Sequence, residues 1–290
     1  MVQALNAIKE TASNTNDQPI QIIQNAVSNM SQESYSSMPN RQALRKQINR
    51  IRSGNMPSQP RSLQDINIPV NLCTTINGDR FLAKELEIGD EKMIIFCTTS
   101  NLQHLQEADY WMMDGTFKTV PTLFMQMYTI HAPVGGINNA RVFPLVYTLM
   151  TNKTEESYKQ LFQELINLGE ESGYNLSPPM ILTDFEQAAI NATHSEFPES
   201  INKGCFFHLC QNLWKKIQAL GLATEYGNNE DFSLKMRHIT ALAFLPPSEI
   251  PPAFDQIKPL LPSNAEGVIK YFEENYIYGR VRRQLRNGAI

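Results

Sequence analysis

The sequence predicts a mixed α/β fold: three antiparallel strands, then alternating helices and strands, then an α-helical region. Three observations predict it. Apolar runs with short Gly- and Pro-bearing connections crowd residues 110–150, which suits antiparallel hairpins. From Thr154 the apolar residues recur at helical spacing, and the buried-looking strand Pro179-Met-Ile-Leu-Thr-Asp184 follows. Beyond Gly221 everything reads as helix punctuated by prolines.

Taken in order, residues 1–40 are rich in Ser, Asn and Gln and poor in large apolar side chains, and read as a disordered polar tail with a weak helix near its start. Residues 41–70 hold a basic helix and a linker. In Arg41-Gln-Ala-Leu-Arg45-Lys46-Gln-Ile-Asn-Arg50-Ile-Arg52, Ala43, Leu44, Ile48 and Ile51 keep helical spacing while cations fill the rest. Such a face is either solvated or a phosphate-contacting arm. Residues 71–108 form a small strand-rich lead-in, with strands at Arg80-Phe-Leu-Ala and Met93-Ile-Ile-Phe, a turn at Gly89-Asp90 and a short helix from Ser100 to Ala108.

Residues 109–222 make the core. Its strands are Tyr110–Asp114, Leu123–His131 and Arg141–Met150, followed by a helix capped by Thr154-Glu155-Glu156 with Tyr158, Leu161, Phe162 and Leu165 on one side. The strand ending in Asp184 comes next, then a helix from Phe185 to Thr193, a short strand at Gly204-Cys-Phe-Phe-His208 and a long helix. This is the element order of the ribonuclease H-like fold. Residues 223–290 read as an incomplete helical insertion.

Composition narrows the function classes. Hydrophobic residues are 42% and charged residues 19% of the 290-residue chain, the balance of a soluble globular protein. A net charge of −4 argues against a chain that coats nucleic acid through a broad basic surface, but leaves room for local basic clusters. Four cysteines, Cys73, Cys97, Cys205 and Cys210, do not suggest a disulfide scaffold. There is no apolar signal core at the N-terminus and no run approaching 18 apolar residues, so a soluble, intracellular chain without a membrane span is expected.

Chemistry points first to Asp114 and Asp184. Each ends a strongly apolar strand, where an unpaired carboxylate is costly. One such residue alone reads as a turn or helix cap. Two, at the tips of strands that this fold sets side by side, make half of an oxygen cage for Mg²⁺ or Mn²⁺. Cys205 and His208 form a Cys-x-x-His pair, half a zinc site by spacing, but no second pair follows, so zinc is not expected. His131 and His194 lack a readable partner and are taken as structural, and Trp111 and Trp214 as core aromatics.

At these residues the sequence resembles the Mutator-like (MULE) transposases. Asp114-Gly-Thr-Phe-Lys, preceded by Trp111 and apolar residues, looks like their first-aspartate block, and Leu182-Thr-Asp184-Phe-Glu-Gln-Ala-Ala looks like their second. Cys205-Phe-Phe-His208 is similar to the Cys-x-x-His signature that follows. The basic segment and the strands after it also resemble what separates a FLYWCH-type zinc finger from the core in some relatives. The resemblance implies metal-dependent DNA cleavage and strand transfer, with Asp114 and Asp184 as catalytic metal ligands and Mg²⁺ or Mn²⁺ as cofactor. It places Cys205 and His208 near the active site, His208 helping to position the DNA phosphate. It implies DNA as partner, at transposon terminal repeats or derived sites, a homo-oligomer as an allowed state, and the nucleus as location. DNA contacts are expected from Arg41, Arg45, Lys46, Arg50, Arg52, Arg280, Arg282 and Arg283.

The resemblance also implies a third carboxylate, a Glu in a block like Asn-Asn-x-x-Glu, and no such block is in the sequence. Glu266, Glu273 and Glu274 read instead as solvated helix faces. The leading expectation is a transposase-derived protein truncated before that carboxylate, weakly active or inactive. The alternatives are a domesticated, non-catalytic DNA-binding or chromatin-associated protein keeping the fold, and a metal-dependent nuclease using one of those three glutamates.

Overall fold

The computed structural model describes residues 2–28, 30–54, 60–118, 120–136 and 139–279. The chain divides into two compact units, Met1–Val70 and Asn71–Ile290.

The first unit is helical: α1 (Val2–Asn14), α2 (Pro19–Val27), α3 (Gln32–Ser36) and α4 (Arg41–Gly54). This differs from the expected disordered tail. Ile8 and Ala12 on α1, Ile22 and Ile23 on α2, and Leu44 and Ile48 on α4 bury one another in a small core. The i,i+4 pairs Ile8/Ala12 and Leu44/Ile48 give their helices one apolar stripe each, so even a polar segment with few large side chains has enough to bury. Arg52 fastens the end of α1, its guanidinium donating to the carbonyl oxygens of Ala12 at 3.3 Å and of Thr15 and Asp17 at 2.8 Å each. The Ala12 carbonyl is one that the helix terminus leaves without an intrahelical partner, and those of Thr15 and Asp17 belong to the connection that follows α1.

The second unit is built on one mixed seven-stranded sheet, order β1-β2-β5-β4-β3-β6-β7. Its strands are β1 (Leu82–Ile88), β2 (Glu91–Phe96), β3 (Trp111–Thr116), β4 (Gln126–Val134), β5 (Arg141–Met150), β6 (Met180–Thr183) and β7 (Ile201–Gly204). The first five pair antiparallel; β3 with β6 and β6 with β7 pair parallel. The strands of the lead-in extend this sheet, since Met93 of β2 pairs with Met150 of β5. Gly89, at φ +59°, turns the two-residue loop between β1 and β2, a backbone state glycine adopts without steric cost.

Helices α5 (Thr99–Glu107), α6 (Glu155–Glu171) and α7 (Gln187–Glu196) contribute to the core over one sheet face. Alternation along the strands explains the choice of face: Trp111, Met113, Tyr128, Ile130 and Ile181 are buried in this cluster, and their neighbours Met112, Asp114 and Leu182 point the other way. Trp111 is fully buried, its indole donating to the Leu105 carbonyl at 2.9 Å. Thr98 caps α5, its hydroxyl accepting from the Asn101 amide at 3.1 Å.

Helix α8 (Phe206–Ala219) opens a helical region with α9 (Ala223–Asn228), α10 (Glu230–Ala241), α11 (Ile250–Ile257) and α12 (Glu266–Phe272), the last running on as a π-helix, Glu273–Ile277. It has its own core, with Leu209, Leu213 and Ile217 of α8 packed among Phe232, Phe254 and Phe272. Trp214 is 36% exposed and lies against Tyr226, so it is a surface aromatic, not the core residue expected. Among the described residues no helix is long and apolar enough to cross a membrane.

Candidate functional site

Two strand ends position the acidic pair. In the parallel β3–β6 ladder Met112 pairs with Leu182. Asp114 and Asp184 each lie two residues beyond that pair, so the pleat sends both to the face opposite the core. Asp114 is still within β3, while Asp184 follows β6 and shapes the turn into α7, its Oδ1 accepting from the Glu186 amide at 3.1 Å. That turn is why α7 starts at Gln187 and not at Phe185. Both carboxylates line one open cleft of about 650 Å³.

The expected strand at 204–208 is not there. Strand β7 is Ile201–Gly204, and the chain turns at Cys205 directly into α8. The Cys205 amide donates to the Thr183 carbonyl at 2.8 Å, which fixes the start of α8 against the tip of β6. No side chain caps that helix, so its first N–H groups are available to an anion. His208, third in the helix, brings Nε2 to 3.5 Å from Asp114 Oδ1, and its side chain is 19% exposed against 47% for Asp114. Its Nδ1 is buried and has no hydrogen-bond partner among the described residues. Cys205 is half-buried and lines, with His208 and Asp114, a second cavity of about 260 Å³.

Further residues of the cleft are ones to which sequence reasoning gave no functional role. Lys153, on the β5–α6 connection, reaches Glu186 at 3.4 Å and lies 5.4 Å from the Phe117 ring centre. Phe207 and Lys215 of α8 complete one wall. His131, taken as structural, is in register with Met112 and lines the 260 Å³ cavity. Phe207 lies within the Cys-x-x-His block, but nothing in the spacing of His131, Lys153 or Lys215 declares that they meet it.

Under the acidic pair, on the core side of the sheet, is a buried polar cluster. Gln126 Nε2 donates to the Tyr158 hydroxyl at 2.8 Å, and Tyr128 packs edge-on to Tyr158. The Tyr128 hydroxyl is held protonated well beyond the ordinary tyrosine range, by burial first, then by Tyr158 and the nearby charges of Asp184, Glu186 and Asp114.

The remaining expected residues fall elsewhere. Arg41, Arg45, Lys46 and Arg50 are exposed on α4 of the first unit, whereas Arg52 is engaged with backbone carbonyls. Arg280, Arg282 and Arg283 lie outside the described residues. Glu273 pairs with Lys258 at 2.7 Å, Glu266 is exposed in the first turn of α12, and Glu274 lines a different cavity beside Tyr271 and Tyr276. None of the three is among the residues lining the Asp114/Asp184 cleft.

Two carboxylates at matched register fit a hard divalent cation of the magnesium kind, which takes one or two protein carboxylates and fills its shell with water and substrate phosphate. Among the described residues no three His, Cys, Asp or Glu side chains converge into an all-protein cage. A family model described as the MULE transposase domain matches residues 110–212. The match begins one residue before β3 and ends within α8, enclosing Asp114, Asp184, Cys205 and His208. No curated protein matches the chain.

Proposed function

From a MULE transposase region at residues 110–212, we propose that this transposase-derived protein acts on DNA in the nucleus through a divalent-cation site at Asp114 and Asp184. The observation that carries the reading is the placing of both aspartates two residues past the Met112–Leu182 pair, on one cleft. The sheet order, three antiparallel strands with parallel strands added beside the first, supports a ribonuclease H-like architecture for this region.

Asp114 and Asp184 would hold Mg²⁺ or Mn²⁺. When bound, such an ion supplies Lewis-acid activation of a water or 3′-hydroxyl and stabilises the leaving oxygen of a phosphodiester. The chain's own residues do the rest. His208, with Nε2 beside Asp114, orients that carboxylate. The uncapped amides of α8 and the ammonium groups of Lys118 and Lys215 seat a phosphate. The Lys153–Glu186 pair holds the β5–α6 connection against the turn that carries Asp184.

The test is nicking of a terminal-repeat DNA by the full chain in Mn²⁺ and Mg²⁺. Metal-dependent nicking that disappears in Asp114→Asn and Asp184→Asn is the expected result. Equal nicking by wild type and both variants overturns it. A second reading, a non-catalytic DNA-binding protein keeping the fold, is favoured by the exposed cations Arg41, Arg45, Lys46 and Arg50 along α4. It predicts DNA binding with a steep salt dependence and no nicking by any of the three proteins.

A further inference from the structure

Two features of the cleft go beyond what a divalent ion and a phosphodiester require. Phe117 and Phe207 stand on its wall 50% and 66% exposed. Isolated exposed aromatics are ordinary, but these two come from different elements, β3's end and the first turn of α8, and border one charged cleft. Neighbouring aromatics are engaged: Phe185 lies edge-on to Tyr276 at 5.1 Å and Phe206 against Phe244 at 4.7 Å. Phe117 has Lys153 at 5.4 Å from its ring centre, and Phe207 meets the His208 ring edge-on at 5.6 Å. Lys118, Lys153 and Lys215 lie along the same cleft. Phe207 also borders the 260 Å³ cavity, whose other walls include Met112, Val142 and Leu182.

Exposed rings interleaved with ammonium groups suit a single-stranded nucleic acid, the rings taking base faces and the cations taking phosphates. A fully paired duplex hides its base faces in the stack, so it cannot use Phe117 or Phe207. We propose that the cleft binds unpaired nucleotides flanking the phosphate held at Asp114 and Asp184, with bases stacked on Phe117 and Phe207. This rests on the DNA reading above and adds the substrate class: a strand with a splayed or single-stranded flank, in preference to uninterrupted duplex.

The experiment is fluorescence anisotropy with the full chain in Ca²⁺, a hard divalent ion that takes oxygen ligands in a looser geometry than Mg²⁺, so that the site is filled while cleavage is suppressed. The probes are a blunt duplex, the same duplex with a three-nucleotide single-stranded flank, and that flank made abasic. The flank should tighten binding about five- to a hundredfold per stacked base, and the abasic flank should lose the gain. Phe117→Leu and Phe207→Leu keep apolar bulk without a ring face; they should remove the gain and leave blunt-duplex affinity unchanged, which also shows them folded. Equal affinity for all three probes overturns the stacking inference alone. A gain that survives the abasic flank or both Leu variants overturns it too, and failure to bind any probe overturns the DNA reading with it.

Discussion

At the scale of single residues, the site depends on how closely the sheet and its neighbours approach it. A Cβ on Gly204 would come within 2.7 Å of the Phe185 ring, which is set between that glycine and Tyr276 at the cleft edge. Gly204→Ala should therefore push the Phe185 ring from its edge-on contact with Tyr276 and cost about 0.5–1.5 kcal/mol, the worth of an aromatic pair, read from urea unfolding of the full chain; an unchanged midpoint would contradict the tight approach. Cys97 illustrates the reverse of a reactive site. Burial pushes its thiol from the ordinary 9.0 up to about 12, so the folded state holds the proton that the unfolded state releases. Its stabilising contribution is complete below pH 9 and is lost as pH rises from there toward 12. Iodoacetamide at pH 8 should label Cys97 in urea and spare it in the native chain, checked by peptide mass spectrometry; equal labelling in both states contradicts its burial.

At the scale of elements, legibility followed burial pattern. Strand β6 was readable because Met180-Ile-Leu-Thr is apolar and ends in a carboxylate. Strand β7 was not, because Ile201-Asn-Lys-Gly is a mostly exposed edge strand with no alternation to read, while the adjacent Cys-Phe-Phe run resembles a strand yet starts a helix with both phenylalanines exposed. The first unit was hidden for a related reason. Among the described residues its core rests on six buried side chains spread over three helices, too few in any one window to outweigh the polar composition. Arg52 is the element-scale test there. Arg52→Ala removes donors to three carbonyls, so amides of α1 and α4 should exchange with deuterium at least about tenfold faster, given about 1.5–3 kcal/mol for hydrogen bonds to a charged group, while sheet amides stay unchanged. No loss of protection in α1 would contradict the staple. Replacing Arg45, Lys46 and Arg50 together should leave that protection intact and flatten the salt dependence of DNA binding by about 0.9 in slope per lost phosphate contact.

At the scale of the whole molecule, charge is divided between the units. Residues 1–70 carry seven Lys and Arg against four Asp and Glu, and residues 71–290 carry 18 against 25. For the proposed action on DNA, this acidic chain concentrates its cations locally, on the exposed face of α4 and at Lys118, Lys153 and Lys215 in the cleft. The acidic pair was legible in the sequence because each aspartate closes an apolar strand. Lys153, Glu186, Phe117 and Phe207 were not, because only the turn after β6 and the start of α8 bring them to the same wall. The most direct measurement is Mn²⁺ binding by the full chain, followed by electron paramagnetic resonance. The account predicts a site that Mg²⁺ competes for and that Asp114→Asn and Asp184→Asn each weaken at least about tenfold. Mn²⁺ affinity that is the same in wild type and both variants would contradict it.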